Sequence, residues 1–400
     1  MVHNNRFLAW AKEMLQAPII IIGSGLAGYQ LAREFRRLDQ TTPIWIVTAD
    51  EGHFYSKPQL SVSLTGQKTP EALIMSSATQ MAEQLNAEVF THTKVTAIDT
   101  HKKIVVFDKK EYPFAKLVLA LGASPARPPL EGSAIEDVFS VNHLGDYALF
   151  RKKITNKKSI TLLGAGLIGC EFANDLANTG HTVNVITPAK TPIELLLPEH
   201  LGEILQTSLE EQGIRFHTGC TATHIDHTEN DQYRIQLSNG STLIADAILS
   251  ATGLRPMTTL AKAAGLAVSR GIAVNRWLET SVTDIYALGD CAEVESFVLP
   301  FITPLLNAAR ALAKTLAGTR TAVSYPAMPV TIKTPAHPVV VCPPPKDMAG
   351  EWQTEKTETS NDAIRALFID KNGTLRGFIL MGACIREKND LAKKIPPLID

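Results

Sequence analysis

The chain is poor in cysteine. Five residues in 400, at 170, 220, 291, 342 and 384, are odd in number and widely spaced, and no CxxC or CxxxxC occurs. That excludes a disulfide framework and a close-spaced redox dithiol, and it fits a reducing compartment such as the cytoplasm. Excess charge is also missing: the formal net charge is −1 at pH 7, so nothing suggests a nucleic-acid partner. No apolar run approaches the roughly 18–20 residues a membrane helix needs, so no membrane insertion is expected. The first residues, "MVHNNRFLAWAKEMLQ", are neither a secretory signal nor a transit peptide. They read as an N-terminal extension over 1–16, with the folded unit starting near Met14. No metal-ligand pattern stands out, and no bound metal is expected.

What is abundant is apolar sequence, 45% of residues, enough for two or three cored domains. "PIIIIG" at 18–23 reads as a buried parallel strand, "LAGYQLAREFRRL" as a helix, and "PIWIVTAD" at 43–50 as the next strand. Residues 89–110 alternate in the manner of antiparallel strands. "KLVLALGASPARPP" ends a strand in a Pro-rich joint, after which the plan restarts with "SITLLG", "LIGCEFANDLANTG" and "TVNVIT". "IRFHTG" and "YRIQLSNGSTLIADAILSATGLRP" add strands, with a hairpin signal at "SNGS". "DIYALGD" is one more strand, followed by a helix near 304–317; the last 75 or so residues are Pro-rich and then resume strands at "AIRALFID" and "LRGFILMG". The expected class is α/β, with two Rossmann-like dinucleotide-binding domains and a C-terminal α+β segment.

Two glycine fingerprints carry the chemistry, 141 residues apart. Gly23-x-Gly25-x-x-Gly28 lies between strand and helix, the context a pyrophosphate-binding turn requires, and takes in Ser24, Leu26 and Ala27. The first glycine allows the turn, the second lets a pyrophosphate approach the backbone, and the third lets helix and strand pack closely. Ala49 and Asp50 end the second strand, where a carboxylate can bind ribose hydroxyls. The second fingerprint is Gly164-x-Gly166-x-x-Gly169. Its strand-end acid is missing: Thr187 stands there, followed by no arginine and only Lys190, which favours NADH over NADPH. Gly289-Asp290 in "YALGDCAEV" alone is an ordinary strand-to-loop cap; beside "LALGA" and "SATGLRP" it reads as functional.

These motifs, in this order, resemble the two-dinucleotide flavoprotein reductases of the glutathione-reductase-like superfamily. The resemblance implies FAD at the first fingerprint, NADH at the second, and Gly289-Asp290 on the FAD ribityl chain. It divides the chain into an FAD-binding domain in two parts, 17–125 and 251–325, an NADH-binding domain at 126–250, and a C-terminal domain at 326–400 near the flavin. It also implies a catalytic pair: Lys57 of "YSKPQLS", near the flavin N5, held by Glu171 in the first turn of the second helix. A cation there would stabilise the reduced flavin.

Within that superfamily, disulfide, peroxide and coenzyme-A disulfide reductases need a thiol shortly after the first βαβ unit. Residues 51–66, "EGHFYSKPQLSVSLTG", contain none. All five cysteines are therefore expected to pack, and electrons must leave to an external acceptor. "GSGLAGYQLAREFRRLD", "YSKPQLS", "LLGAGLIGCEFANDL", "IYALGDCAEV" and above all "MPVTIKTPAHPVVV" resemble the rubredoxin-NAD(+) reductase family nearly end to end. This implies rubredoxin, a small acidic iron protein, as partner, an alkane hydroxylase downstream, Lys333 against the flavin, and a monomer or weak dimer. Basic groups that could meet the acceptor are "REFRRL" (33–38) and Lys57. Two alternatives stand beside this: a reductase of a 2Fe–2S ferredoxin, and a redox-sensing flavoprotein that would turn over poorly with any carrier.

Overall fold

A computed structural model of the chain describes residues 17–356 and 363–399; the expected N-terminal extension up to residue 16 lies outside them. The first nucleotide-binding unit is a five-stranded parallel sheet in the order Ile285–Ala287, Lys116–Leu119, Ile19–Ile22, Ile44–Val47, Glu88–Phe90. Ile19–Ile22 sits near its centre, buried on both faces, which is why it reads as an unbroken apolar run. Helix Leu26–Arg36 buries Ala27, Leu31 and Phe35 at helical spacing and packs against helix Ile302–Leu316. Glu88–Phe90 corrects one expectation: it pairs in parallel with Ile44–Val47, and only Ala97–Asp99, Ile104–Phe107 and Lys110–Pro113 form the antiparallel ribbon. Alternation of side chains marks a half-buried strand but not its direction.

The second unit repeats the plan. Its parallel sheet runs Ile214–His217, Thr182–Ile186, Ser159–Leu163, Ala247–Ser250. Helix Leu167–Asn178 follows the second fingerprint. An antiparallel ribbon, Ala222–His227, Tyr233–Leu237 and Thr242–Ala245, turns at residues 238–241 with Gly240 at φ +85°. The chain crosses between the units twice, and the crossings pair: Ala123–Pro125 lies antiparallel to Leu254–Pro256. This tie joins the strand that follows Ala120, which lies against Gly23, to the strand that follows Ala251, which lies against Gly164.

The C-terminal residues form a five-stranded antiparallel sheet, ordered Val330–Ile332, Val339–Cys342, Leu375–Met381, Ile364–Asp370, Gly350–Lys356. Two of these strands lie in the Pro-rich stretch that reads as irregular from sequence. Pro329 and Pro338 fall just outside the strand ends, where no ladder hydrogen bond is lost. The sheet is not separate from the rest. Ile332, Val339, Val341, Ile379 and Met381 share one buried cluster with Phe172 and Leu176 of the second fingerprint helix and Leu60 and Leu64 of the 57–65 segment.

Candidate functional site

Each fingerprint forms a cradle, and its three glycines differ in what demands them. A Cβ on Gly23, which has φ +114°, would lie 2.2 Å from the Ala120 carbonyl oxygen. One on Gly28 would lie 2.0 Å from the Gly23 oxygen. The second cradle repeats this, with Gly164 (φ +107°) at 2.6 Å from the Ala251 oxygen and Gly169 at 2.1 Å from the Gly164 oxygen. The middle glycines are unlike these. Gly25 and Gly166 have negative φ, and an added Cβ would meet nothing within 4 Å. The protein's own packing therefore does not require glycine there; close approach of a ligand does. Both are helix N-caps without a side-chain hydrogen bond, and neither helix has an acid in its first turn. The N–H groups and the positive dipole end are left for an anion, which suits a pyrophosphate.

Beside the first cradle, Asp50 lies three residues past strand Ile44–Val47, next to exposed Ala49. Its Oδ1 accepts from Ser24 Oγ (3.2 Å), Thr48 Oγ1 (2.6 Å) and Gly52 N (3.0 Å). Ser24 is itself buried against Thr48 Oγ1 at 2.9 Å. These bonds fix the carboxylate of an exposed residue through one oxygen, Oδ1, an arrangement that suits a ribose diol. Gly289, at φ +75°, touches the same cradle: its Cβ would lie 2.9 Å from Ala27 Cβ. In the second cradle, Thr187 is buried, and its Oγ1 accepts from Ala189 N at 3.2 Å. It shapes the turn and does not read a ribose.

Between the cradles the structure corrects the expected pairing. Glu171 is the fifth residue of helix Leu167–Asn178, beyond its first turn, and is buried. Its cation is Lys333, not Lys57. Lys333 Nζ donates to Glu171 Oε2 at 3.0 Å and to the Pro58 carbonyl at 2.5 Å, while Lys333 N donates to Oε1 at 3.0 Å. Ser61 Oγ donates to Oε2 at 2.5 Å. One helical turn on, Asp175 accepts from Leu64 N (2.7 Å) and Thr65 N (3.0 Å), and Asn174 Oδ1 accepts from Ala336 N (3.2 Å). Three parts of the chain are thus tied at one helix face: the 57–65 segment, the second cradle's helix and the C-terminal sheet. Asn174 and Asp175 had escaped notice from sequence. Their spacing of three and four residues from Glu171 was the available signal, since such residues share a helix face.

Lys57 looks the other way. It is half-buried at the start of the 3-10 turn Lys57–Val62, and burial lowers its pKa while Asp290 and then Asp146 oppose the shift. Asp290 is half-buried too; burial raises its carboxyl pKa and Lys57 opposes it. The two groups carry opposite charges, and each offsets part of the other's burial penalty.

All five cysteines are buried and unbonded to one another. Burial pushes the Cys170 and Cys291 thiols up to about 12 and Cys342 to about 11, and raises Cys220 and Cys384 as well. Such thiols are inert as nucleophiles at neutral pH. The "REFRRL" arginines are largely committed inside the first unit. Arg33 stacks over Phe54 and reaches Met81, Arg36 donates to the Leu85 and Asn86 carbonyls, and Arg37 pairs with Glu34. Among the described residues no helix is long and apolar enough to cross a membrane, and no group of three or more His, Cys, Asp or Glu could hold a metal.

With this geometry in view, residues 17–323 match the profile of the pyridine nucleotide-disulphide oxidoreductase family, and residues 322–395 match that of the rubredoxin binding C-terminal domain. The chain is 49% identical over 382 residues to a rubredoxin-NAD(+) reductase of Alcanivorax borkumensis, covering 96% of this chain and 99% of the relative. It is 46% identical to one of Acinetobacter baylyi, covering 96% and 98%. Among solved structures, a ferredoxin reductase from Rhodopseudomonas palustris superposes with a TM-score of 0.86 over 95% of each chain at 23% identity, a likeness of fold alone.

Proposed function

This chain belongs to the pyridine nucleotide-disulphide oxidoreductase family, and from that premise we propose that it oxidises NADH and reduces a rubredoxin. One observation carries the reading: a two-cradle fold whose five thiols are all buried is joined to a sheet matching a rubredoxin binding domain. The thiols cannot receive electrons, so the acceptor is external. FAD, when bound, supplies a carrier that takes two electrons at once and releases them singly.

The chain's own residues do the positioning. Gly23, Gly25 and Gly28, with Ser24, Leu26 and Ala27 between and beside them, form the turn that holds the FAD pyrophosphate; Ala49 and Asp50 meet its ribose, and Gly289 and Asp290 its ribityl chain. Gly164, Gly166 and Gly169 hold the pyrophosphate of NADH. Lys57 contributes positive charge at the first cradle, favoured by the Asp290 carboxylate. Glu171, Ser61 and Lys333 fix the 57–65 segment against the second helix, so that the two cradles keep one spacing. In this reading Lys57 is the catalytic cation, and Glu171 and Lys333 line the nicotinamide side. The two-part FAD domain, inserted NADH domain and C-terminal domain divide at 125, 250 and 325. Supply of an alkane hydroxylase through reduced rubredoxin, in the cytoplasm, completes the proposal.

The test is sequential mixing. The purified flavoprotein is reduced with NADH in a stopped-flow instrument and then mixed with oxidised rubredoxin. Bleaching of flavin absorbance followed by rapid recovery on mixing is expected. A reduced state that outlives many equivalents of rubredoxin would sink the reading, and rapid recovery with a 2Fe–2S ferredoxin alone would redirect it.

A further inference from the structure

The second cradle lacks the strand-end carboxylate that usually binds the adenosine ribose, and Thr187 at that position is buried and spent on the Ala189 amide. The chain just beyond it is acidic. Residues 187–203 hold one lysine, Lys190, against three glutamates, Glu194, Glu199 and Glu203. The lysine is not free: Glu194 Oε1 accepts from its backbone N at 3.2 Å, and Glu199 Oε2 lies 3.3 Å from its Nζ. Lys190, Glu199 and Glu203 line one cleft of about 290 Å³, with Thr191 and Thr218 in its wall. Thr191 is buried, and its Oγ1 has no hydrogen-bond partner among the described residues. The cleft opens at the carboxyl edge of the parallel sheet, three residues past the position where the ribose reader normally stands.

Resting on the reading of this cradle as the NADH site, we propose that Glu194, Glu199 and Glu203 set its nucleotide specificity by repulsion. Glu199 neutralises the Lys190 ammonium and Glu194 holds its backbone N–H; with Glu203 they confront the 2′-phosphate of NADPH with net negative charge, while the uncharged 2′-hydroxyl of NADH enters freely. A 2′-phosphate brings roughly two negative charges and needs an arginine or paired lysines. Here the one ammonium is matched by Glu199, and Glu194 and Glu203 leave the local balance negative. Discrimination therefore comes from what is built against the wrong nucleotide, not from an added contact to the right one.

The experiment compares kcat/KM for NADH and NADPH, with NAD+ and NADP+ affinities by titration calorimetry as a readout independent of turnover. It uses the wild-type flavoprotein, Glu194→Gln/Glu199→Gln and Lys190→Glu. The double variant is expected to narrow the NADH:NADPH ratio by at least about tenfold, with NADP+ binding gained in step, because Lys190 is released. Lys190→Glu is expected to widen it. Raising salt should narrow the wild-type ratio, since the groups are exposed and screening acts within roughly 8–10 Å. A ratio that stays within about twofold in all variants and salts would overturn the proposal. Wild-type protein that oxidises neither nucleotide would sink the functional reading as well, whereas NADH oxidation with an unmoved ratio sinks this inference alone.

Discussion

Gly23 and Gly25 are two residues apart and serve different masters. Gly23→Ala forces a side chain into φ +114° and onto a carbonyl at 2.2 Å, so the fold itself resists it. A loss on the order of 2–3 kcal/mol is expected, read as a lower midpoint in thermal unfolding whether or not FAD is added. Gly25→Ala meets open space at ordinary φ. Its fold should stay within about 1 kcal/mol of wild type, while FAD content after purification falls and added FAD no longer raises the midpoint. Gly166→Ala should spare FAD and raise the KM for NADH. Equal damage from Gly23→Ala and Gly25→Ala would remove the distinction. At Lys57 and Asp290 the prediction concerns pH. Burial raises the Asp290 pKa, so folded Asp290 binds its proton more tightly than the unfolded chain does. Its contribution is fully present below the unfolded value and is lost as pH rises through the folded one. Lys57 limits that loss. The stability deficit of Lys57→Met relative to wild type should therefore grow as pH rises above the ordinary carboxyl range of about 4 in urea titrations. A pH-independent deficit would mean the two groups are uncoupled.

At the scale of elements, the tie at Glu171 joins a helix, a 3-10 turn and a strand end that are far apart in the chain. Lys333→Met strands a buried carboxylate beside Ser61, and a cost of about 2–3 kcal/mol is expected, reduced from the fully buried case because Lys333 is a third exposed. Lys333→Arg should recover part of it. If the tie also sets the spacing of the cradles, flavin reduction by NADH will slow by about tenfold or more in Lys333→Met, with FAD affinity little changed. A stability loss with unaltered reduction kinetics would confine Lys333 to a structural role. This element also marks how far sequence reading reached. The fingerprints, their strands and helices, and Asp50 were legible because each is a local pattern within about 30 residues. The partner of Glu171 was not, since no local pattern separates Lys57 from Lys333 and only packing of the C-terminal sheet brings one of them to 3.0 Å. The strands around Lys333 were hidden for a related reason. Pro329, Pro335 and Pro338 resemble loop punctuation until the pairing of Val330–Ile332 with Val339–Cys342 shows them outside the ladder.

Over the whole molecule, composition separates a C-terminal domain at the Pro-rich stretch near 326, yet the apolar core does not stop there. Ile332, Val339, Val341, Ile379 and Met381 complete the cluster that contains Phe172, Leu176, Leu60 and Leu64. Removing the sheet would expose these residues, leave Glu171 without Lys333, and free Asn174 Oδ1 from the Ala336 amide. Each buried aliphatic or aromatic side chain returned to water costs roughly 1.5–3 kcal/mol, and the four on the remaining side alone would consume much of a net stability of about 5–15 kcal/mol. The C-terminal sheet is thus part of the NADH unit's core as well as the segment matched to rubredoxin binding. Two outcomes follow. Thermal unfolding of the full chain should show flavin release and loss of far-UV ellipticity in one coincident transition, and a chain ending at 325 should fail to hold FAD stoichiometrically. An FAD-loaded, NADH-reducible 1–325 fragment with a cooperative transition of its own would show that the shared core is dispensable. The acceptor-binding sheet would then be an appended module, and Lys333 would lose its place in the site.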